Sequence, residues 1–354
     1  MPDDLQKLRT EIDQIDDELL KLISRRAQLA QTIGRLKQGN IYRPEREAQV
    51  LRRIKEANPG PLSGETAARL FREIMSACLA LEQPLTVAYL GPQGTFTQAA
   101  AIKHFGHAAE TADCVSIDEV FRKVESGQAV YAVAPVENST EGAIGRTLDL
   151  LLNTPLMICG EVVVRVHHYL LRKGESMEGI TKLYSHAQSF AQCHEWLNKN
   201  LPNVARITVS SNAEAARLAA AEPDSAAIAG ETAAEIYGLT PLARNIEDEP
   251  NNTTRFLVLG MHDAGRSGRD KTSLVMAAPN QPGAMHDLLG PFARNGVSMT
   301  KLESRPSGAG KWEYVFYVDV EGHQEDAPVA TALAELKNLA PFLKVLGSYP
   351  VAVL

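Results

Sequence analysis

The chain has 354 residues, 44% of them hydrophobic, and a formal net charge of −7. That length holds two to three domains with real cores, and an acidic balance without any Lys/Arg run interleaved with aromatics excludes a nucleic-acid surface as its main business. No stretch is apolar for long enough to span a bilayer and the start, MPDDLQKLRTEID, lacks an apolar signal core, so no membrane association and a cytoplasmic location are expected.

From Leu5 onward, Leu8, Ile12, Ile15, Leu19, Leu22, Leu29, Ile33 and Leu36 recur at three- and four-residue steps, with one gap at Arg26. This is a coiled-coil-like stripe on one long helix, with a stop expected at Gly39-Asn40. Pro44 suits the first turn of a second helix reaching about Ala57, and NPGPLSG at 58–64 is a turn before a third helix ending near Glu82. Three helices so unequal in length cannot cover the stripe, which predicts an intertwined homodimer.

Arg9, Arg25, Lys37, Arg46 and Glu47 interrupt this apolar pattern, and their arrangement resembles the all-helical chorismate mutase family over residues 1–83, within a first domain of 1–84. Chorismate carries two carboxylates, and the resemblance implies fixed cations that fold it for a pericyclic rearrangement, with no nucleophile and no cofactor. On one straight helix Arg9 and Lys37 lie roughly 40 Å apart, so a shared ligand requires Arg9 from the other protomer. Arg43 stands where the family commonly has Asp, Cys78 where Ser is often found, and Glu82 where some relatives have Gln. An ionised carboxylate cannot donate to the substrate's ether oxygen, so Glu82 is expected to work protonated; a solvated helix-end glutamate is the alternative.

After Pro84 short β-rich runs alternate with helices. LTVAYL, YAVAPV, LMICGEVVVRV and RITVS read as strands, and 98–105, 116–126, 189–200 and 211–221 as helices. Ser116 with Glu119 and Ser211 with Glu214 are capping-box signatures. The order predicts an α/β domain at 85–264 in two lobes, about 85–165 plus 241–260 and 166–240, with a cleft between them.

Four motifs, GPQGTFTQAA at 91–100, VENSTEGAIG at 136–145, SHAQSFAQC at 185–193 and NNTTRF at 251–256, resemble the prephenate dehydratase family and its periplasmic-binding-protein-like fold. The resemblance implies loss of carbon dioxide and hydroxide from prephenate. It makes Thr254 the donor to the leaving hydroxyl, and Arg255 either a carboxylate clamp or a structural charge. Asn138 and Ser139 would position substrate, with Glu141 as acid or helix cap. Backbone N–H groups of Thr95, Phe96 and Thr97 could face a carboxylate at a helix start. Ser185, His186 and Gln188 could contact substrate, although a lone histidine at a strand end is more often a structural hydrogen bonder, and Ser185 and Gln188 share that ambiguity. The GxGxxG spacing of a dinucleotide fold is absent, and no residue set shows metal-ligand spacing. Cys78, Cys114, Cys159 and Cys193 form no CxxC and read as buried filler.

GMHDAGRSGRD at 260–270 reads as a polar linker. Beyond it, strand 272–277, helix 283–294, strands 297–303 and 312–320, helix 326–338 and strand 342–347 give a βαββαβ order over 271–354. NQPGAM at 280–285 and KLESRPS at 301–307 resemble the amino-acid-binding ACT domain. The resemblance implies that Asn280, Gly283, Ala284, Met285, Glu303, Ser304, Arg305 and Pro306 bind L-phenylalanine as an inhibitor. A stabilising domain that binds nothing is the alternative. The expectation is thus a multidomain chain, all-α, then α/β, then α+β, in the order of the bifunctional chorismate mutase/prephenate dehydratase family. A non-catalytic metabolite sensor and an arogenate dehydratase are the competing readings.

Overall fold

The computed structural model describes residues 2–36, 42–279, 281–306 and 314–354; Lys37, Gly39-Asn40 and Asn280 lie outside them. The chain forms a helical unit, a two-lobed central unit and a C-terminal unit, and no described helix is long and apolar enough to cross a membrane.

Helix α1 (Pro2–Leu36) is followed by α2 (Pro44–Ala57) and α3 (Gly64–Ala80). Pro44 opens α2, and the Ser63 hydroxyl caps α3 by accepting from Thr66 N. Toward α3, α1 turns Arg26, Ala27, Ala30, Gln31 and Gly34, which are half-buried, while every Leu and Ile of the sequence stripe stays exposed. Small residues permit close packing on α3, and the large apolar ones are left for another surface.

In the central unit, β1 (Thr86–Leu90), α4 (Phe96–Phe105), β2 (Glu110–Cys114), α5 (Ile117–Glu125), β3 (Tyr131–Asn138), β4 (Gly142–Ala143), α6 (Gly145–Asn153) and β5 (Met157–Arg165) build the first lobe. The second holds β6 (Tyr169–Arg172), β7 (Lys182–Ser185), α7 (Ala187–Gln192), α8 (His194–Asn200), β8 (Ala205–Thr208), α9 (Asn212–Ala221), β9 (Ser225–Ala229), α10 (Glu231–Tyr237) and β10 (Thr240–Ala243). The chain then returns as β11 (Thr253–Gly260) between β3 and β5, in a sheet ordered β2-β1-β3-β11-β5. The second sheet runs β10-β6-β9-β7-β8. Residues 241–243 therefore belong to the second lobe, because Pro241 and Ala243 pair with Leu171 and Leu170, and the return crossing begins after them.

The helix expected over 189–200 is two helices broken at Cys193, whose φ of −118° and ψ of 20° leave the helical basin. The Asp248 carboxylate accepts from Glu195 N and Trp196 N and so caps the second. Both capping serines accept from the residue three positions on. The reciprocal halves fail: Glu119 accepts from Val115 N instead, and Glu214 is taken by Arg217.

The C-terminal unit comprises β12 (Asp270–Ala277), α11 (Ala284–Arg294), β13 (Met299–Pro306), β14 (Tyr314–Glu321), α12 (Ala327–Leu339) and β15 (Phe342–Pro350), with an antiparallel sheet ordered β13-β14-β12-β15. One face of this sheet packs on α11 and α12. The other shares a single core with the first lobe, where Val275, Tyr317, Leu346 and Tyr349 meet Val136, Leu148, Ile158 and Leu257. Gly347 is required here, since a Cβ would fall 2.2 Å from the Ile158 carbonyl oxygen. The expected linker is docked as well: Ala264 and Ser267 are buried, and the Arg52 guanidinium of α2 donates to the Ser267 and Arg269 carbonyls. All four cysteines are free and buried, and burial pushes the Cys159 thiol up to about 12.

Candidate active sites

The central cleft lies between the lobes and has a volume of about 500 Å³. Thr254 reaches it from β11, where strand register places it opposite Asn138 of β3. The Asn138 amide Nδ2 donates to Thr254 Oγ1 at 2.9 Å and to Asn252 Oδ1 at 2.9 Å. Its Oδ1 accepts from Thr140 N, Thr140 Oγ1 and Glu141 N, which folds residues 138–141 into a tight turn. With its oxygen already accepting from Asn138, Thr254 retains its own O–H as a donor.

Helix starts supply the remaining donors. Thr95 caps α4, accepting from Gln98 N and donating to the Leu90 carbonyl, which leaves the Phe96 and Thr97 N–H groups at the cleft wall without helical partners. The His186 ring caps α7 by accepting from Gln188 N, and Ser211 caps α9. All three helix starts line the cleft, and among the described lining residues there is no Lys or Arg. An anion here is therefore held by backbone N–H groups and neutral side chains.

Among the lining residues that sequence reasoning misses are His168, Ser189, Gln192, Asn212 and Asp113. Burial depresses the His168 pKa, so its ring is neutral at pH 7, with Nε2 2.8 Å from Gln192 Oε1. Asn212 Oδ1 accepts from Ser185 Oγ, Ser189 Oγ and His186 N, fixing the wall. Ser189 and Gln192 lie inside the SHAQSFAQC motif without having been singled out, His168 lies in the crossing between β5 and β6, and Asn212 opens the alanine-rich α9, which carries no motif.

Other expected residues lie elsewhere. Arg255 points away from the cleft because successive strand residues face opposite sides. It is a structural charge, bound to Glu161 at 2.8 Å, Asp319 at 2.6 Å and the Tyr349 hydroxyl at 2.8 Å. Burial opposes its charge, but Tyr349, Asp319 and Glu161 outweigh this and raise its pKa. Ser139 pins its loop to β11, accepting from Thr253 N at 2.9 Å. Glu141 is exposed, does not line the cleft and caps nothing, since α6 has no side-chain cap. Ser185 is fully buried scaffold.

In the helical unit, Arg26 rather than Arg25 turns inward: Arg25 is exposed, whereas Arg26 is half-buried and its Nη1 is shielded without a hydrogen-bond partner among the described residues. Glu82 packs on α1, where a Cβ at Gly34 would come within 2.9 Å of Glu82 Oε2. Cys78 is buried on α3. Glu47 sits 3.3 Å from Arg72 Nε; burial raises its pKa while Arg72 pulls it down. Arg72 also donates to the Lys103 carbonyl at 2.6 Å, tying this site's edge to the end of α4. Arg9, Arg43 and Arg46 are exposed.

In the C-terminal unit β13 is an edge strand with two faces. By its register against β14, Leu302 and Ser304 lie on the side of the sheet that carries α11, while Lys301, Glu303 and Arg305 turn toward the first lobe. Arg305 holds Asp149 at 3.0 Å, so the expected effector residues divide between the two faces; Pro306 is exposed.

A helical unit, a donor-lined cleft and a βαββαβ unit in one chain define a multidomain enzyme of small-molecule metabolism. Known families match all three parts: chorismate mutase type II over residues 8–83, prephenate dehydratase over residues 87–264 and the ACT domain over residues 272–338. The bifunctional chorismate mutase/prephenate dehydratase of Neisseria gonorrhoeae is 63% identical over 350 residues, 98% of this chain and 97% of the relative. The chain belongs to the bifunctional chorismate mutase/prephenate dehydratase family.

Among solved structures, the prephenate dehydratase of Arthrobacter aurescens in complex with L-Phe superposes with a TM-score of 0.69 at 36% identity, covering 75% of this chain and 90% of that one. GqqA, described as a novel type of quorum quenching acylase, superposes with a TM-score of 0.69 at 31% identity, covering 76% of this chain and 98% of its own.

Proposed function

We propose that the helical unit rearranges chorismate to prephenate, that the cleft decarboxylates and dehydrates prephenate to phenylpyruvate, and that L-phenylalanine inhibits through the ACT domain. The observation that carries the dehydratase assignment is Thr254, whose oxygen accepts from Asn138 and whose O–H is thereby left to donate into a cleft lined by helix starts. Loss of the ring hydroxyl needs such a donor, and two substrate carboxylates need such N–H groups. Purified protein given chorismate should form phenylpyruvate, and saturating L-phenylalanine should lower prephenate turnover by about 5–150-fold, the usual range of allosteric coupling. Absence of turnover on both substrates would leave a metabolite sensor.

The exposed stripe of α1 supports a homodimer in which two such helices cover each other, each buried Leu or Ile contributing on the order of 1 kcal/mol. For the mutase site, Glu82 works as a protonated donor. Chorismate turnover should therefore fall toward alkaline pH as the carboxyl ionises, and Glu82→Gln should flatten that limb; a mutant profile that keeps it removes Glu82 from the role.

A second substrate reading rests on Asp113, the one carboxylate among the described cleft-lining residues, which is exposed. It would favour an ammonium group, as in arogenate, and comparison of kcat/KM for prephenate and arogenate decides between them.

A further inference from the structure

The C-terminal unit grips the segment that carries the Thr254–Asn138 pair, and it does so through residues next to that pair in sequence. Glu137 immediately precedes Asn138 and lies opposite Arg255 in the β3–β11 register. Lys301 Nζ, from β13, sits 2.8 Å from Glu137 Oε2, and Arg255 Nη1 is 3.8 Å from the same oxygen. Lys301 is itself nearly buried, with 12% of its side chain exposed. The Glu137 carboxylate is 37% exposed, so the shielded member of this pair is the ammonium, whose displacement would remove its nearest counter-charge. Helix α6, which follows the Asn138 loop, is held at its middle and at its C-terminal end from the same unit. Arg305 bonds Asp149 in its second turn, and Lys344 Nζ donates to the Leu151, Leu152 and Thr154 carbonyls at its end.

Strand β13 thus has one face on the side of α11, whose start carries part of the ACT-like effector motif, and the opposite face turned to the dehydratase loop. We propose that Lys301 is the coupling residue: through Glu137 it sets the position of Asn138, and with it the Thr254 donor, according to whether the other face of β13 is occupied. This rests on L-phenylalanine acting at the ACT domain. Lys301 touches neither substrate nor effector in this scheme, so it is a positioning residue. A shift of β13 by a fraction of an ångström would move a charge pair adjoining the donor, and coupling needs no longer path.

The experiment uses the full-length chain with Lys301→Met, Lys301→Arg and Glu137→Gln. Binding of L-phenylalanine by calorimetry is read separately from inhibition of prephenate turnover, and the binding signal also reports that the C-terminal unit is folded. Lys301→Met and Glu137→Gln are expected to bind phenylalanine within about threefold of wild type, while saturating effector lowers kcat less than about twofold, against about 5–150-fold in wild type. Lys301→Arg should restore most of the inhibition, and the double variant should be no less inhibitable than either single one. Full inhibition of Lys301→Met, or loss of binding in parallel with loss of inhibition, overturns the proposal. Wild-type protein that phenylalanine does not inhibit overturns the effector reading and the coupling with it, whereas inhibited wild type with equally inhibited variants overturns the coupling alone.

Discussion

Thr254→Ala is expected to lower prephenate turnover by about 10²–10⁴-fold, the usual contribution of a positioned acid or base, while chorismate consumption continues at the wild-type rate and prephenate accumulates. The hydroxyl acts through its one remaining donor. Asn138 occupies the acceptor side at 2.9 Å, and Asn138 is itself fixed by Asn252 and by the turn over residues 138–141. Alanine removes the donor and leaves the Asn138 amide facing a void, so the loss falls mainly on kcat. Thr254→Ser keeps the hydroxyl but loses the methyl that restricts its rotamer, and should lie between the two. Asn138→Ala frees the Thr254 hydroxyl to turn back toward backbone acceptors and should cost about 10-fold or more. The measurement is phenylpyruvate formation from prephenate beside chorismate loss in the same preparation. A Thr254→Ala protein with wild-type kcat would move the donor role to another cleft residue.

The second large effect is expected in trans. Arg9→Ala and Arg26→Ala should each abolish chorismate turnover as pure proteins, yet refolding them together should restore about a quarter of wild-type activity. In a random mixture about half the dimers are mixed, and each mixed dimer assembles one of its two sites from two intact arginines. Arg26 is turned inward on the C-terminal half of α1, whereas Arg9 is exposed near its start. They are far apart on one rigid helix, so they meet at a ligand only when a second α1 lies antiparallel to the first. The exposed Leu and Ile stripe supplies the surface for that pairing. Mixed protein as inactive as its components would place each site within a single chain.

Much of this architecture was legible in the sequence because it is written in local signals. Pro44 and Ala57 bound α2 in both readings, the capping serines begin their helices, and the βαββαβ order appears as expected. What was not legible depends on distant partners. The break at Cys193 is capped by Asp248, more than fifty residues on, so no local pattern marks it. Strand β9 reads SAAIA, a poor strand by propensity, and is fixed by β6 and β7 on either side. At the sites, the motif residues Thr254, Asn138, Thr95, His186 and Gln188 converge on the cleft or its walls. Arg255 sits within a motif but serves the domain interface, since adjacency in a strand implies opposite faces. Arg25 and Arg26 adjoin in sequence, and only the packing of α1 on α3 tells which is turned inward.

The core shared by the first lobe and the C-terminal sheet has a mechanical consequence. Both clusters of the second lobe draw only on residues 169–246, so that lobe has an interior of its own, while everything else forms one chassis. Two chain crossings join them, zipped together where Val166 N bonds the Asn252 carbonyl and Ile246 N bonds the His168 carbonyl. The second lobe is therefore a separately cored body joined to the rest by a paired strap. Its latches are Tyr237 on the Gln93 carbonyl and Gln192 on Thr140. Thr140 lies in the turn over residues 138–141 that directly follows Glu137, so under the coupling proposed above a pull through Lys301 would reach this contact between the lobes as well as the Thr254 donor.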